Sequence, residues 1–213
     1  MVVIIALMKK NQNVDISANQ NQTQIESEES IEQEINAEIT EDTSTISDGD
    51  FKAKYDDVMV ELALLTESAK ILGQYNCVIW ENVGPKNISY VIDAFQGRVE
   101  YDFDELDRLI SAAFPNMDKY GGNSATTEWQ NYRKAYDLVK ETRSRLDEKF
   151  DELKEIATQN NKDISDLKNY YIEAIMYGDY ACGLEGSLSS YSSELSNKLD
   201  NVTRLMKLAE MSY

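Results

Sequence analysis

The chain has 213 residues, 42% of them hydrophobic, with 39 Asp and Glu against 21 Lys and Arg and no histidine. A formal charge of -18 disfavours phosphate backbones as partners, so no nucleic acid is expected. The missing imidazole removes axial His ligation of haem, most zinc sites, and the usual general base of Ser and Cys nucleophiles.

The first element is the apolar run Val2 to Met8, followed by Lys9 and Lys10. It is shorter than the roughly 20 apolar residues a spanning helix needs. Three readings stand side by side: an apolar N-terminus without further role, the tail of a signal peptide, and the end of a membrane anchor that begins upstream of Met1. The third is favoured, and it leads us to expect more apolar residues encoded before Met1.

Between Asn11 and Asp50 lie eleven carboxylates and neither Lys nor Arg nor an aromatic residue. Isolated aliphatic residues among Gln, Asn, Ser, Thr and Glu bury too little surface to offset the entropy of ordering. Ile31, Ile35 and Ile39 recur every four residues, but like charges crowd beside them. The expected organisation is an apolar remnant over 1–10, a disordered, self-repelling acidic tether over 11–50, and a folded domain over 51–213. The folded part carries 28 carboxylates against 19 Lys and Arg, hence nine of the net negative charges.

From Phe51 the pattern becomes helical. Val58, Leu62, Leu65, Ala69, Leu72, Asn76 and Ile79 alternate by four and three, the seam of a helix running to about Trp80. Gly84 and Pro85 stop it, and Asn87 is placed to cap the next. That second helix starts with Ile88, Val91, Ile92 and Phe95, breaks near Gly97, and restarts with Asp102 as N-cap and Glu105 three residues on, a capping-box arrangement. Leu106, Leu109, Ile110 and Ala113 give its buried face.

After a loop from Pro115 to the Gly121-Gly122 pair, a helix of about 45 Å or more is predicted from Trp129, Tyr132, Tyr136, Val139, Arg143, Leu146, Phe150, Leu153 and Ala157. A further helix uses Ile164, Leu167, Tyr171, Ile175, Gly178 and Cys182. The last follows through Leu188, Tyr191, Leu195, Leu199, Val202, Leu205 or Met206, and Ala209. Two prolines and no useful period-two alternation argue against a sheet, so the expected fold is an all-α, coiled-coil-like antiparallel bundle of four or five helices.

The acidic stretch Glu100, Asp102, Asp104, Glu105, Asp107 fails as a calcium loop, because Leu106 and Asp107 stand where an EF-hand needs other residues; helix capping explains it. A di-iron bundle requires Glu-x-x-His pairs that this chain lacks. No catalytic, cofactor or metal residue is assigned, and an enzyme is not expected. Arg143 on a seam is read as a packed stem whose head meets a neighbouring carboxylate, and Asn76 as a register device. Cys77 and Cys182, both in apolar helical contexts, are read as buried thiols. Outside the cytoplasm they become a candidate disulfide, provided the first and fourth long helical patterns touch there.

Ile172, Met176 and Tyr180 recur every four residues as a second apolar stripe on the helix that carries Cys182. Such a helix is either central in its bundle, the favoured reading, or meets a partner or a second copy. The expected function is a non-catalytic binding module, tethered through its N-terminus outside a bacterial membrane or secreted, with a protein or glycan partner and the option of a homodimer. The alternative is a cytoplasmic acidic binding protein: an inhibitor, an antitoxin-like partner or a nucleic-acid mimic.

Overall fold

The computed structural model describes residues 47–115 and 124–213. The apolar start, most of the acidic segment and the tip of the glycine loop lie outside the described residues. Within them are six α-helices: α1 Asp48–Val83, α2 Ile88–Phe95, α3 Phe103–Ala113, α4 Ala125–Gln159, α5 Ser165–Cys182 and α6 Leu188–Met211.

Six replaces the expected four or five, because the stretch read as one interrupted helix from Ile88 to Ala113 is two. Gly97 stands at φ 70°, in the left-handed region, and its N–H closes back onto Ala94 O at 3.1 Å. Asp102 then adopts an extended ψ of 171° and accepts from Glu105 N at 2.6 Å. A left-handed residue followed by an extended cap cannot sit inside a continuous α ladder. Two capping details also differ. The Glu105 carboxylate is held by Arg108 at 2.6 and 2.7 Å. The Asn87 side chain makes no cap for α2; its Nδ2 turns back to Val83 O at 3.4 Å, serving the end of α1.

Cross-helix partners set the directions of the four long helices. Lys54 meets Glu152, Glu61 meets Arg145 and Lys149, and Tyr75 meets Glu128, so α1 and α4 are antiparallel. Tyr171 and Asp179 of α5 meet Asp147 and Arg143 of α4 in reverse order. Tyr55 donates to Ala209 O at 2.8 Å and Asn76 reaches Tyr191, which makes α6 antiparallel to α1. The short helices α2 and α3 occupy the first crossover. They pack where α1 ends and α4 begins, through Asn82 Nδ2 to Ala113 O at 2.8 Å and Arg133 to Phe95 O at 2.7 Å.

All seven expected seam residues of α1 are buried. Burying one such aliphatic side chain contributes about 1.5–3 kcal/mol. On α4 the seam departs from expectation at three positions: Glu128, Ala135 and Thr142 are buried, while Trp129, Tyr136 and Arg143 are partly exposed. The small Ala135 and Thr142 let the helices approach, and the long neighbours reach past the contact to the edge. On α5 the expected face keeps Leu167 and Gly178 but otherwise shifts by one, to Tyr170, Ala174, Tyr177 and Ala181. Ala174, Gly178 and Ala181 allow close packing; a methyl at Gly178 would lie 3.2 Å from Leu65 Cδ1. Tyr170 keeps its hydroxyl 3.4 Å from that of Thr66.

Candidate functional site

The densest buried polar constellation surrounds the C-terminus of α5, whose last carbonyls lack intrahelical donors. Asn76, on the inner face of α1, donates from Nδ2 to Ala181 O at 2.8 Å and to Tyr191 OH at 3.0 Å. Gln96, just after α2, donates to Cys182 O at 3.1 Å and to Tyr132 OH at 2.7 Å. Arg98 adds a second donor to the same Cys182 carbonyl at 3.0 Å and is itself held by Asp93 at 3.0 Å. Two amides and a guanidinium thus complement the negative end of a helix dipole and tie α1, α2, α4, α5 and α6 into one joint. Asn76 Oδ1 and Gln96 Oε1 are buried without a hydrogen-bond partner. The register role read for Asn76 is therefore visible as two named bonds, whereas Gln96 and Arg98 carried no sequence signal.

A second constellation was also unmarked in the sequence. Glu128, in the first turn of α4 and 8% exposed, accepts from the Tyr75 hydroxyl of α1. Burial, and then the adjacent carboxylate, pushes the Tyr75 phenol well above its ordinary range. The pattern around Glu128 looks like an ordinary acidic first turn; its burial follows from the ring of Tyr75, which packs edge-on against Tyr132 and Phe114.

The thiols are free. The Asn76–Ala181 bond shows that α1 and α5 touch beside them, and both thiols interact electrostatically with the Tyr191 phenol. Cys77 is also influenced by a hydrogen bond with Ser192 and by the charge of Glu81, while Cys182 feels the positive charges of Lys140, Arg98 and Arg143. Burial pushes the Cys182 thiol up to about 11 and raises that of Cys77, so both are protonated at neutral pH and neither is a ready thiolate nucleophile. Arg143, half exposed, pairs with Asp179 of α5. Asp102 is spent as the α3 cap. Among the described residues no group of three or more His, Cys, Asp or Glu side chains could hold a metal ion, and no helix is long and apolar enough to cross a membrane.

The second stripe of α5 resolves into two parts. Ile172 and Met176 are 42% and 48% exposed, which places that face of α5 at the outside of the bundle and not in its centre. Tyr180 is half-buried, its ring stacked on Tyr191 at 5.2 Å with Lys198 over it at 5.4 Å. No family model, curated protein or solved structure matches this chain. The described part is an all-helical domain without catalytic motifs, and its chemistry is to be read from its own residues.

Proposed function

We propose that this chain is a non-catalytic helical interaction module, held by its acidic N-terminal segment on the outer side of a bacterial membrane, that engages a protein partner through α5. The observation that carries the reading is the contrast between the two faces of α5. Leu167, Tyr170, Ala174, Tyr177 and Ala181 are fully buried, while Ile172 and Met176 stand exposed one turn apart. Surface positions of a helix so well anchored cost little to fill with polar residues, and paired aliphatic and thioether side chains suit a protein contact. The polar groups at the end of α5 support the same reading, because they are engaged in holding helices together. The placement outside the membrane is supported by the Val2–Met8 run and by the charge and composition of residues 11–50.

A photo-crosslinking residue at position 176 of the full chain, in its native cells, tests this. A specific adduct is expected at 176 and not at the exposed Ser144 on α4. Ile172→Lys should abolish association while the melting temperature stays unchanged. An adduct of twice the chain mass identifies the partner as a second copy. If position 176 gives no adduct and Ile172→Lys changes neither association nor oligomeric state, the interaction reading fails; if protease added to intact cells leaves the domain untouched, the outer placement fails.

A further inference from the structure

A different surface carries a second inference. Helices α1 and α6 meet closely at two places. At Gly73 the absent side chain admits Leu195, and at the other end Tyr55 bonds Ala209 O and packs on Tyr213 at 4.7 Å. Between these points the surface between the two helices is indented, with the small Ala63 and Thr66 lining the part nearer Gly73 and Met59 and Val60 the part nearer Tyr55, and this indentation forms a trough. Two depressions of ≈ 310 and ≈ 290 Å³ lie in it end to end, one turn apart on both helices. From Asp56 to Lys70 it follows α1 for about 21 Å, the length of four helical turns.

Its floor is apolar, with Met59, Ala63, Leu199 and Met206 partly buried and Val60 51% exposed. Its rim is charged. On the α1 side Lys52 is paired with Asp56 at 3.1 Å and Lys70 with Glu67 at 3.3 Å. On the α6 side Asp200 and Glu210 line the trough, and among the described residues neither makes a salt bridge. The trough is thus a hydrophobic strip with two uncompensated negative charges along one edge, on a domain that is itself nine charges negative. A second copy of this chain, or its own segment 11–46 with nine carboxylates, would bring like charge to that edge.

We propose that the trough between α1 and α6 is the docking site for a cationic amphipathic helix of a partner protein. Its apolar stripe lies along Met59, Val60, Ala63 and Met206, and its Lys or Arg residues face Asp200 and Glu210. The proposal rests on reading the chain as an interaction module but not on the α5 stripe, so crosslinking from position 176 is expected to be indifferent to changes in the trough.

The test titrates the full chain with a synthetic amphipathic Leu/Lys helix of about 18 residues and with its Leu/Glu counterpart of the same spacing. The Leu/Lys peptide is expected to bind, more weakly as salt rises, and the Leu/Glu peptide not to bind. Val60→Lys should weaken binding at least tenfold more than Ile172→Lys, which makes the same charge change on the other surface. If Val60→Lys does not fold, the exposed pair Asp200→Lys and Glu210→Lys should give the same loss. Equal weakening by Val60→Lys and Ile172→Lys, or an unchanged affinity in the Asp200/Glu210 variant, overturns the proposal in favour of unspecific charge attraction. Equal binding of the Leu/Glu peptide overturns the charge argument. A dimer of the full chain that Val60→Lys dissociates overturns the choice of occupant in favour of a second copy.

Discussion

Replacing Gly73 by Ala measures how closely α1 and α6 approach. A methyl group built on the Gly73 Cα falls 2.8 Å from Leu195 Cδ1 and 3.1 Å from Leu195 Cγ, and closer still to Cδ2. Because Cγ itself is crowded, rotating the end of the leucine does not relieve the contact; the side chain must change χ1 or α6 must back away. Overpacking of this kind costs up to about 3 kcal/mol, while Ala gains about 1 kcal/mol over Gly inside a helix, leaving a net loss of about 2 kcal/mol. For a domain of this size that lowers the melting temperature by about 4–8 °C. Leu195→Ala alone should cost about 2–5 kcal/mol, but in the double variant the new methyl fills part of the vacated space, so the pair should be about 1–2 kcal/mol more stable than the two costs added. Thermal and urea melts followed by helical circular dichroism read all four states of this cycle. A Gly73→Ala protein that melts at or above the wild type, or costs that simply add, would refute the close approach.

Three further outcomes are expected. Starting the chain at Ser47 should leave its melting temperature unchanged, whereas starting it at Phe51 removes the Ser47 cap on Asp50 N and the Asp48–Lys162 bridge at 2.7 Å and should cost about 1 kcal/mol by urea titration; equal stabilities would show that this end of α1 contributes nothing. Asn76→Ala deletes both bonds at the end of α5 and leaves a cavity, so urea titration should show a loss of about 2–4 kcal/mol, and a loss under about 0.5 kcal/mol would remove Asn76 from the joint. Burial pushes the Tyr55 and Tyr170 phenols up to about 12 from 10.0 and the Cys182 thiol up to about 11 from 9.0. The folded state therefore holds these protons more tightly than the unfolded chain does, and their contribution is complete below pH 9.0 and lost as pH rises through about 11 and 12. Urea midpoints should fall between pH 8 and pH 11.5, less steeply in Tyr170→Phe; a flat profile contradicts the burial of these groups.

Sequence alone determined the α class and the inner face of α1, because a single dominant apolar row at three-four spacing has only one side to bury. It also marked the Asp102 cap and the stop imposed by Gly84 and Pro85, both set by local backbone chemistry, although the helix runs to Val83 and not only to about Trp80. The seams of α4 and α5 were legible only in part. In α5 both faces carry Tyr, Ile and Met, so period alone could not choose between Tyr170–Ala174–Tyr177 and Tyr171–Ile175; the fit of Ala174, Gly178 and Ala181 against α1 chose. The same choice left Ile172 and Met176 outside. Helix number turned on Gly97, where a break inside one helix and a boundary between two look alike until the φ of 70° is seen. The joint of Asn76, Gln96 and Arg98 on the Ala181 and Cys182 carbonyls brings together residues up to 106 positions apart, from 76 to 182. The trough likewise is lined by residues about 140 positions apart, such as Ala63 and Met206, that only the packing of α6 on α1 brings together. Local patterns fix which residues seek the interior, but the approach of one helix to another depends on the side chains of both, and only the folded chain brings them face to face.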